Sequence, residues 1–529
     1  MTYRVGIDVG GTFTDGVAVR NGSVEGKVKE PTTPDVTSGI VAVLDGLLEA
    51  GIEGDEVEMV SLATTHTTNA IIEREGLDRV GVLRLARPTG TTIPPLTGWP
   101  ADLRDAIGGR DNVEMVEGGY EFDGSPLSEL DEDAVRAWAR SLDDVDTIAV
   151  TGVFSPVRPA QEETVHDIVR EELGDVPVTR SSEIASISLL ERENSAVLNA
   201  AVTTVMQRAI DAVRDALDDR NVEAPLFIVQ NDGSVMTADY AAEYPIFTAA
   251  SGPASSIRGA VSLSGIEDGV VIDVGGTSTD VGYIVDGFPR ESAMTVTIGG
   301  VKTNIRAPDL TSVALGGGTV VKTGADGFDA LGPESVGHDL TRLGRAYGGP
   351  MTTVHDISVA VGRLSADLDI FETPRMTDSG AIDSLDDAVV TAAWDAIQER
   401  LERTIDEMKT SPEDVPAVVV GGGATVVPES FAGTSETTNP SHFEVAGAVG
   451  ATLAEIAAYA ENVVDLDQQD RQDGIDETVE RATDNAVRNG AVRETVEVLD
   501  IEEIPFTYMP GEREKIRVRV KGEYGGLSA

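Results

Sequence analysis

One nine-residue string occurs twice in this chain. Ile7-Asp8-Val9-Gly10-Gly11-Thr12-Phe13-Thr14-Asp15 returns half a chain later as Ile272-Asp273-Val274-Gly275-Gly276-Thr277-Ser278-Thr279-Asp280, with only Phe13 exchanged, for Ser278. Each copy follows an apolar, β-branched run, Tyr3 to Val9 and Val270 to Val274, and leads into another, Gly16 to Arg20 and Val281 to Val285. Both copies therefore read as strand, glycine turn, strand.

Paired glycines let backbone N–H groups approach anionic oxygens, because no Cβ intervenes. Gly10, Gly11, Gly275 and Gly276 supply such turns, and Thr12, Thr14, Thr277, Ser278 and Thr279 add hydroxyl donors. Asp8 and Asp273 would end their strands where phosphates enter. A carboxylate beside a triphosphate is repulsive unless a divalent cation stands between them, so the pair points to Mg²⁺ held through water. Asp15 and Asp280, just past each turn, either help orient water or metal or brace the hairpin as Asx-type residues. Neither copy is followed by Lys-Ser or Lys-Thr, and neither has the G-x-G-x-x-G spacing, so this is a phosphate grip of another kind.

Between the copies, strand-like runs alternate with helical periods, which predicts mixed α/β layers. Helices are expected at Val36 to Ala50, Thr67 to Glu75, Asp131 to Leu142, Pro159 to Leu173 and, without a break, Leu189 to Asp219. Arg87 to Gly124 is rich in Pro and Gly and reads as an insertion over a cleft or as a surface loop. Further on, helices are expected at Leu385 to Met408 and Phe443 to Glu461. The expected division is 1–185, with the insertion at about 87–124, then 186–462 carrying the nucleotide site, then an acidic appendage at 463–529.

The chain has 529 residues, no cysteine, and 92 acidic against 40 basic side chains, a net charge of −52. Such a balance argues against nucleic acid or an anionic membrane as partner. The absence of cysteine removes disulfides, thiolate metal sites and a cysteine nucleophile. Only 7 of the basic residues are lysine, and with the acid excess this resembles the surface composition of proteins from salt-loving organisms. A strand begins almost at once and no apolar run approaches the ~18 residues of a membrane span, so a cytoplasmic protein is expected.

Duplicated Asp-x-Gly-Gly-Thr hairpins, with Val418-Val419-Val420-Gly421-Gly422-Gly423 for the adenosine, resemble the actin, sugar-kinase and heat-shock-protein ATPase superfamily. Thr64-Thr65-His66-Thr67-Thr68-Asn69, Ser251-Gly252-Pro253-Ala254, Leu315-Gly316-Gly317-Gly318, Thr353-Val354-His355-Asp356 and Gly362-Arg363-Leu364 narrow it to the hydantoinase A and 5-oxoprolinase family, in a short divergent form. The resemblance implies an α/β fold of two ribonuclease-H-like domains closing on ATP and Mg²⁺, with Gly316 to Gly318 and Gly421 to Gly423 in the nucleotide site. It also implies ATP-driven opening of a cyclic amide alongside a separate B-type subunit, with a homo-oligomer as a further possibility. A ketone carboxylase subunit and a non-catalytic ATP-gated module are the alternatives. His66 and Asn69, where a strand turns into a helix, are substrate-contact candidates or helix-start residues. His355 and Asp356 are a weak candidate for a second metal. Glu191 and Glu193 read as a solvated helix face.

Overall fold

The computed structural model describes residues 2–32, 36–184, 187–292, 295–324, 327–364, 379–506 and 511–525. The first hairpin forms as expected: β1 (Tyr3–Val9) and β2 (Phe13–Arg20) pair antiparallel, and β3 (Ser23–Pro31) joins β2. β4 (Val57–Thr64) lies parallel to β1 on its other side.

The chain then leaves this sheet. β5 (Val80–Arg87), β6 (Val113–Glu117), β7 (Thr147–Gly152) and β8 (Val178–Arg180) form a separate, wholly parallel sheet in the order β6-β5-β7-β8. Helices Glu132–Ser141 and Ala160–Leu173 cover it around a core that includes Leu83, Val150 and Trp138. Within the segment 87–124, β6 pairs with β5 and belongs to this unit, whereas Leu96, Trp99, Leu103 and Ile107 pack into the core of the first sheet.

Helix Leu189–Ala201 leads back, and β9 (Leu226–Val229) pairs with β4, with β10 (Val235–Thr237) at the edge. The expected boundary at 185/186 falls outside the described residues, but the sheet does not respect it: the first sheet, β10-β9-β4-β1-β2-β3, draws strands from both sides. The helix expected from Leu189 to Asp219 is two, Leu189–Ala201 and Thr203–Asp218. Asp78 stands at the break: its N–H donates to the Ala201 carbonyl (2.8 Å) and its carboxylate accepts from the Thr204 N–H (2.8 Å).

The second half repeats the plan. β11 (Gly269–Val274) and β12 (Thr279–Val285) form the second hairpin, flanked by β13 (Phe288–Pro289). Two small hairpins follow, β14 (Val296–Ile298) with β15 (Val301–Thr303), and β17 (Thr319–Gly324) with β18 (Gly327–Ser335); between them β16 (Leu310–Val313) joins β12. β19 (Val415–Val420) runs parallel to β11, and β20 (Thr434–Thr438) parallel to β19. Each principal sheet thus has an antiparallel hairpin beside parallel strands, the ribonuclease-H-like plan expected.

Helices Ser251–Ser264 and Ala446–Ala451 cross between the two sheets. They touch backbone to backbone, since a Cβ on Gly450 would overlap the Ser255 carbonyl and one on Gly259 the Ala446 carbonyl. The helix expected from Phe443 to Glu461 ends here; Glu455–Asp465 is instead β21, the first strand of a C-terminal sheet completed by β22 (Glu497–Pro505) and β23 (Arg513–Glu523), in the order β21-β23-β22. A helix, Arg471–Arg488, packs on that sheet, which begins before the expected boundary at 462/463. Among the described residues no helix is long and apolar enough to cross a membrane.

Candidate active site

Both glycine turns close in the same way. The Gly10 N–H donates to the Phe13 carbonyl (3.0 Å) and the Gly275 N–H to the Ser278 carbonyl (2.9 Å). Their register places Asp8 opposite Asp15 and Asp273 opposite Asp280, so each hairpin carries two carboxylates on one face. The two tips meet: the nearest atom to a Cβ built on Gly276 is the Thr12 Oγ1 of the other hairpin, at 3.5 Å.

Glycines shape the floor. A Cβ on Gly447 would overlap the Asp8 Oδ2, and one on Gly421 the Asp273 Oδ1; Gly421 also has φ +87°, where other residues are strained. Among the described residues the floor gathers four carboxylates, with Lys29 as the cation acting on three of them. The surrounding protein pushes the Asp8 carboxyl up to about 8, with Asp15 and Asp273 adding repulsion and Lys29 opposing. Burial pushes Asp273 to about 6, against a hydrogen bond from Ser256. Asp15 and Asp280 are also raised by burial, Asp15 against the pull of Lys29 and Asp280 against a hydrogen bond from Ser312. Lys29, opposite Asp15 on β3, donates to both its oxygens at 2.6 and 2.7 Å.

Acids that are hard to ionise together suit a divalent cation, whose charge relieves both burial and repulsion. Among the described residues no group of three or more His, Cys, Asp or Glu side chains is spaced to hold a metal directly. A cation here would be held through water.

Some expected contacts lie elsewhere. Thr14 and Thr279 are fully buried; the Thr14 hydroxyl shares a bond with Thr32 (3.3 Å), and that of Thr279 donates to the Leu315 carbonyl (2.5 Å). Each sits one residue before a floor aspartate, and strand side chains alternate faces, so these two point away from the turn. Gly316 to Gly318 brace the second turn: their N–H groups are taken by Thr319 Oγ1 (2.8 Å), the Gly275 carbonyl (3.2 Å) and the Gly276 carbonyl (2.8 Å). Of the third glycine run, Gly421 donates to the Phe443 carbonyl and Gly423 to that of Val274, while Gly422 faces the Lys29 ammonium. Gly11, Thr12, Gly276, Thr277 and Ser278 remain at the tips, partly or fully exposed.

β4 ends beside Asp8, and the next residues begin helix His66–Glu73. A Cβ on Gly252 would stand 3.8 Å from the Thr65 methyl and 4.0 Å from Asp8 Oδ1, which puts this turn against the floor. His66 is half-buried and its pKa is lowered by burial, so its ring is neutral near pH 7. Asn69 is exposed and its amide donates to Thr65 Oγ1 (3.2 Å). Asp356 is no metal ligand: its carboxylate is saturated by the N–H groups of Arg345, Ala346 and Thr353 and by the Thr353 hydroxyl, in a capping box. His355 stacks on Tyr347.

Lys29, Ser256, Gly252 and Gly447 were missed from sequence. Lysine scarcity singles out Lys29, in a strand next to the hairpin; the other three act only through the crossing helices.

A model of the hydantoinase/oxoprolinase N-terminal region matches residues 4–173, and a model described as hydantoinase/oxoprolinase matches residues 192–460. The acetophenone carboxylase gamma subunit of Aromatoleum aromaticum is 30% identical over 398 residues, 69% of this chain and 53% of that protein. The caprolactamase subunit alpha of Pseudomonas jessenii is 28% identical over 417 residues, 72% of this chain and 58% of that protein. The chain spans little more than half the length of these relatives. Among solved structures, the ATP-dependent caprolactamase from Pseudomonas jessenii superposes with a TM-score of 0.78 at 20% identity, over 99% of this chain and 88% of that one, which shows a common fold.

Proposed function

Since this chain belongs to the hydantoinase/oxoprolinase family, we propose that it is the ATP-using subunit of an enzyme that opens cyclic amides. The observation that carries the reading is the meeting of Thr12 and Gly276 above a floor of carboxylates that repel one another. Asp8 and Asp273 would hold Mg²⁺ through water, and the backbone N–H groups of Gly11 and Thr12 and of Gly276, Thr277 and Ser278 would grip the phosphates, those of Gly10 and Gly275 being spent within their turns. The cation neutralises charge that develops on the phosphoryl oxygens. Gly421 to Gly423 border the nucleoside, and Gly316 to Gly318, with their N–H groups committed, hold the second turn in shape.

An unstrained lactam carbon is a poor electrophile. Transfer of the terminal phosphoryl of ATP to the carbonyl oxygen makes an imidoyl phosphate. One water adds at its carbon, the C–N bond breaks to give an acyl phosphate, and a second water releases phosphate. This chain's part is alignment: the tips set the phosphoryl, and the turn at Thr65 and His66 borders the carbonyl. Neutral His66 and Asn69 face the substrate side, and hydrolysis of the activated product falls to a B-type partner subunit.

The similarity to an acetophenone carboxylase subunit supports a second reading, in which a ketone enolate is phosphorylated and bicarbonate is consumed. An ATPase screen in concentrated salt, with and without the partner, separates them. Stimulation by lactams or hydantoins without bicarbonate supports the first reading; a bicarbonate-dependent response to ketones supports the second. ATP hydrolysis indifferent to every substrate would leave only an ATP-gated module. Asp8→Ala and Asp273→Ala each abolish turnover, and normal turnover in both would refute the site. We read the acid excess as surface solvation suited to a salt-rich cytoplasm.

A further inference from the structure

Well away from the hairpin tips, a cavity of about 340 Å³ opens where the parallel sheet, the first lobe and the C-terminal unit meet. None of the hairpin residues lines it. Its volume falls within the range of small-molecule sites.

Five arginines reach this cavity. Three are tied down within the protein: Arg180 to Glu183 (2.6 Å), Arg519 to Asp232 (2.9 Å) and Arg488 to the Tyr244 hydroxyl (3.0 Å). Arg306 is tied on one side only. Its Nη1 donates to Glu291 (2.9 Å) and its plane lies over the Tyr459 ring, yet its buried Nη2 has no partner. Arg481 is half-buried, and among the described residues it has no hydrogen-bond acceptor and no ion-pair partner; partial burial lowers its pKa, with Glu477 opposing. The Ser182 hydroxyl is likewise buried and unpartnered. Unpaired buried donors are costly, so a cavity that holds two of them among the described residues, beside an Arg481 with no acceptor of its own, is shaped for an acceptor it does not itself supply.

The acceptor's class follows from an acid on the same lining. The Glu461 Oε2 is buried without a donor, although its other oxygen accepts from Arg517. A doubly charged phosphate would be repelled by Glu461 and its acidic neighbours. A singly charged carboxylate that also carries an N–H donor satisfies both sides: its oxygens match the planar guanidinium of Arg481 and the free arm of Arg306, and its donor matches Glu461. We propose that this cavity is a second ligand site, for a small amino acid bound by its carboxylate to Arg481 and Arg306 and by its amine to Glu461. The site does not depend on the reaction proposed above.

The test is titration calorimetry on the full chain in molar potassium chloride, with 5-aminopentanoate, pentanoate and inorganic phosphate as probes. Expected is one 5-aminopentanoate per chain, at least tenfold weaker pentanoate, and no phosphate binding. Arg481→Gln weakens 5-aminopentanoate at least tenfold, Arg481→Lys restores part of the loss, and Ser182→Ala gives a smaller loss. Unfolding by urea separates a ligand-binding arginine from a structural one: with no hydrogen bond or ion pair to lose among the described residues, Arg481→Gln keeps its midpoint equal to or above that of the parent. Failure of 5-aminopentanoate to bind, preference for phosphate, undiminished binding in Arg481→Gln, or a lowered midpoint in that variant would each overturn the site.

Discussion

Replacing Glu193 by glutamine tests how the inserted parallel sheet is fastened to the first lobe. Glu193 stands on helix Leu189–Ala201 and Arg84 on β5, with side-chain exposures of 2% and 1%. Arg84 donates through Nε and Nη2 to the two carboxylate oxygens, both at 2.6 Å, and through Nη1 to the Ile93 carbonyl. The substitution keeps the shape but removes the charge that compensates a buried guanidinium. Breaking one side of such a pair costs about 3–5 kcal/mol, a large share of the roughly 5–15 kcal/mol that typically holds a domain folded. Arg84→Met with Glu193→Leu removes both charges and retains apolar volume, and it recovers most of the loss. Urea unfolding in molar potassium chloride, followed by tryptophan fluorescence, reads the effect. Trp99 is a local reporter, since its indole N–H donates to Asn194 on the same helix (2.7 Å). A loss below about 1 kcal/mol for Glu193→Gln, or a double variant no more stable than the single, would refute the account.

Other outcomes follow from the site. The folded-state pKa of Asp8, about 8, and of Asp273, about 6, lie above the 3.8 of an unfolded chain, so the folded protein keeps protons that the unfolded one releases. Stability is therefore greatest below about pH 4 in these two terms and is lost as pH climbs towards 8; urea midpoints measured across that span in chelator should fall, and Asp8→Asn should flatten the slope. Gly447→Ala drives a methyl into the Asp8 carboxylate and should weaken Mg·ATP binding at least tenfold by equilibrium dialysis, whereas Gly317→Ala, with open space around its Cβ, should not. A chain of net charge −52 should melt at steeply rising temperature from low to molar salt, and a flat response would contradict the salt-adapted reading of its surface.

The sequence located the first strand of each hairpin within a residue and the second within three, and named the acids on their floor. It did so because a glycine turn between β-branched runs is a local matter, decided by residues adjacent in sequence. The inward or outward aim of Thr14 and Thr279 was also open to local reasoning, through strand alternation from Asp15 and Asp280, and that signal was passed over. Glu193 was misread because a glutamate in a helix normally faces water; nothing near it in sequence announces Arg84, which comes from a strand in another unit. The 443–461 stretch failed for a related reason: its alanines suit a helix, yet the pairing of Glu455–Asp465 with β23 decided the matter.

The order of residues determined by itself the two acid-flanked glycine turns and the family they belong to, since steric freedom and side-chain chemistry there are carried within nine positions. The tertiary structure alone decided that the tips meet, that Gly316 to Gly318 spend their N–H groups on the second turn, that Lys29 answers Asp15, and that Arg481 finds no hydrogen-bond or ion-pair partner among the described residues. Each of these depends on which distant groups are brought within a few ångströms, and that is set by strand pairing and helix crossing, not by neighbours along the chain.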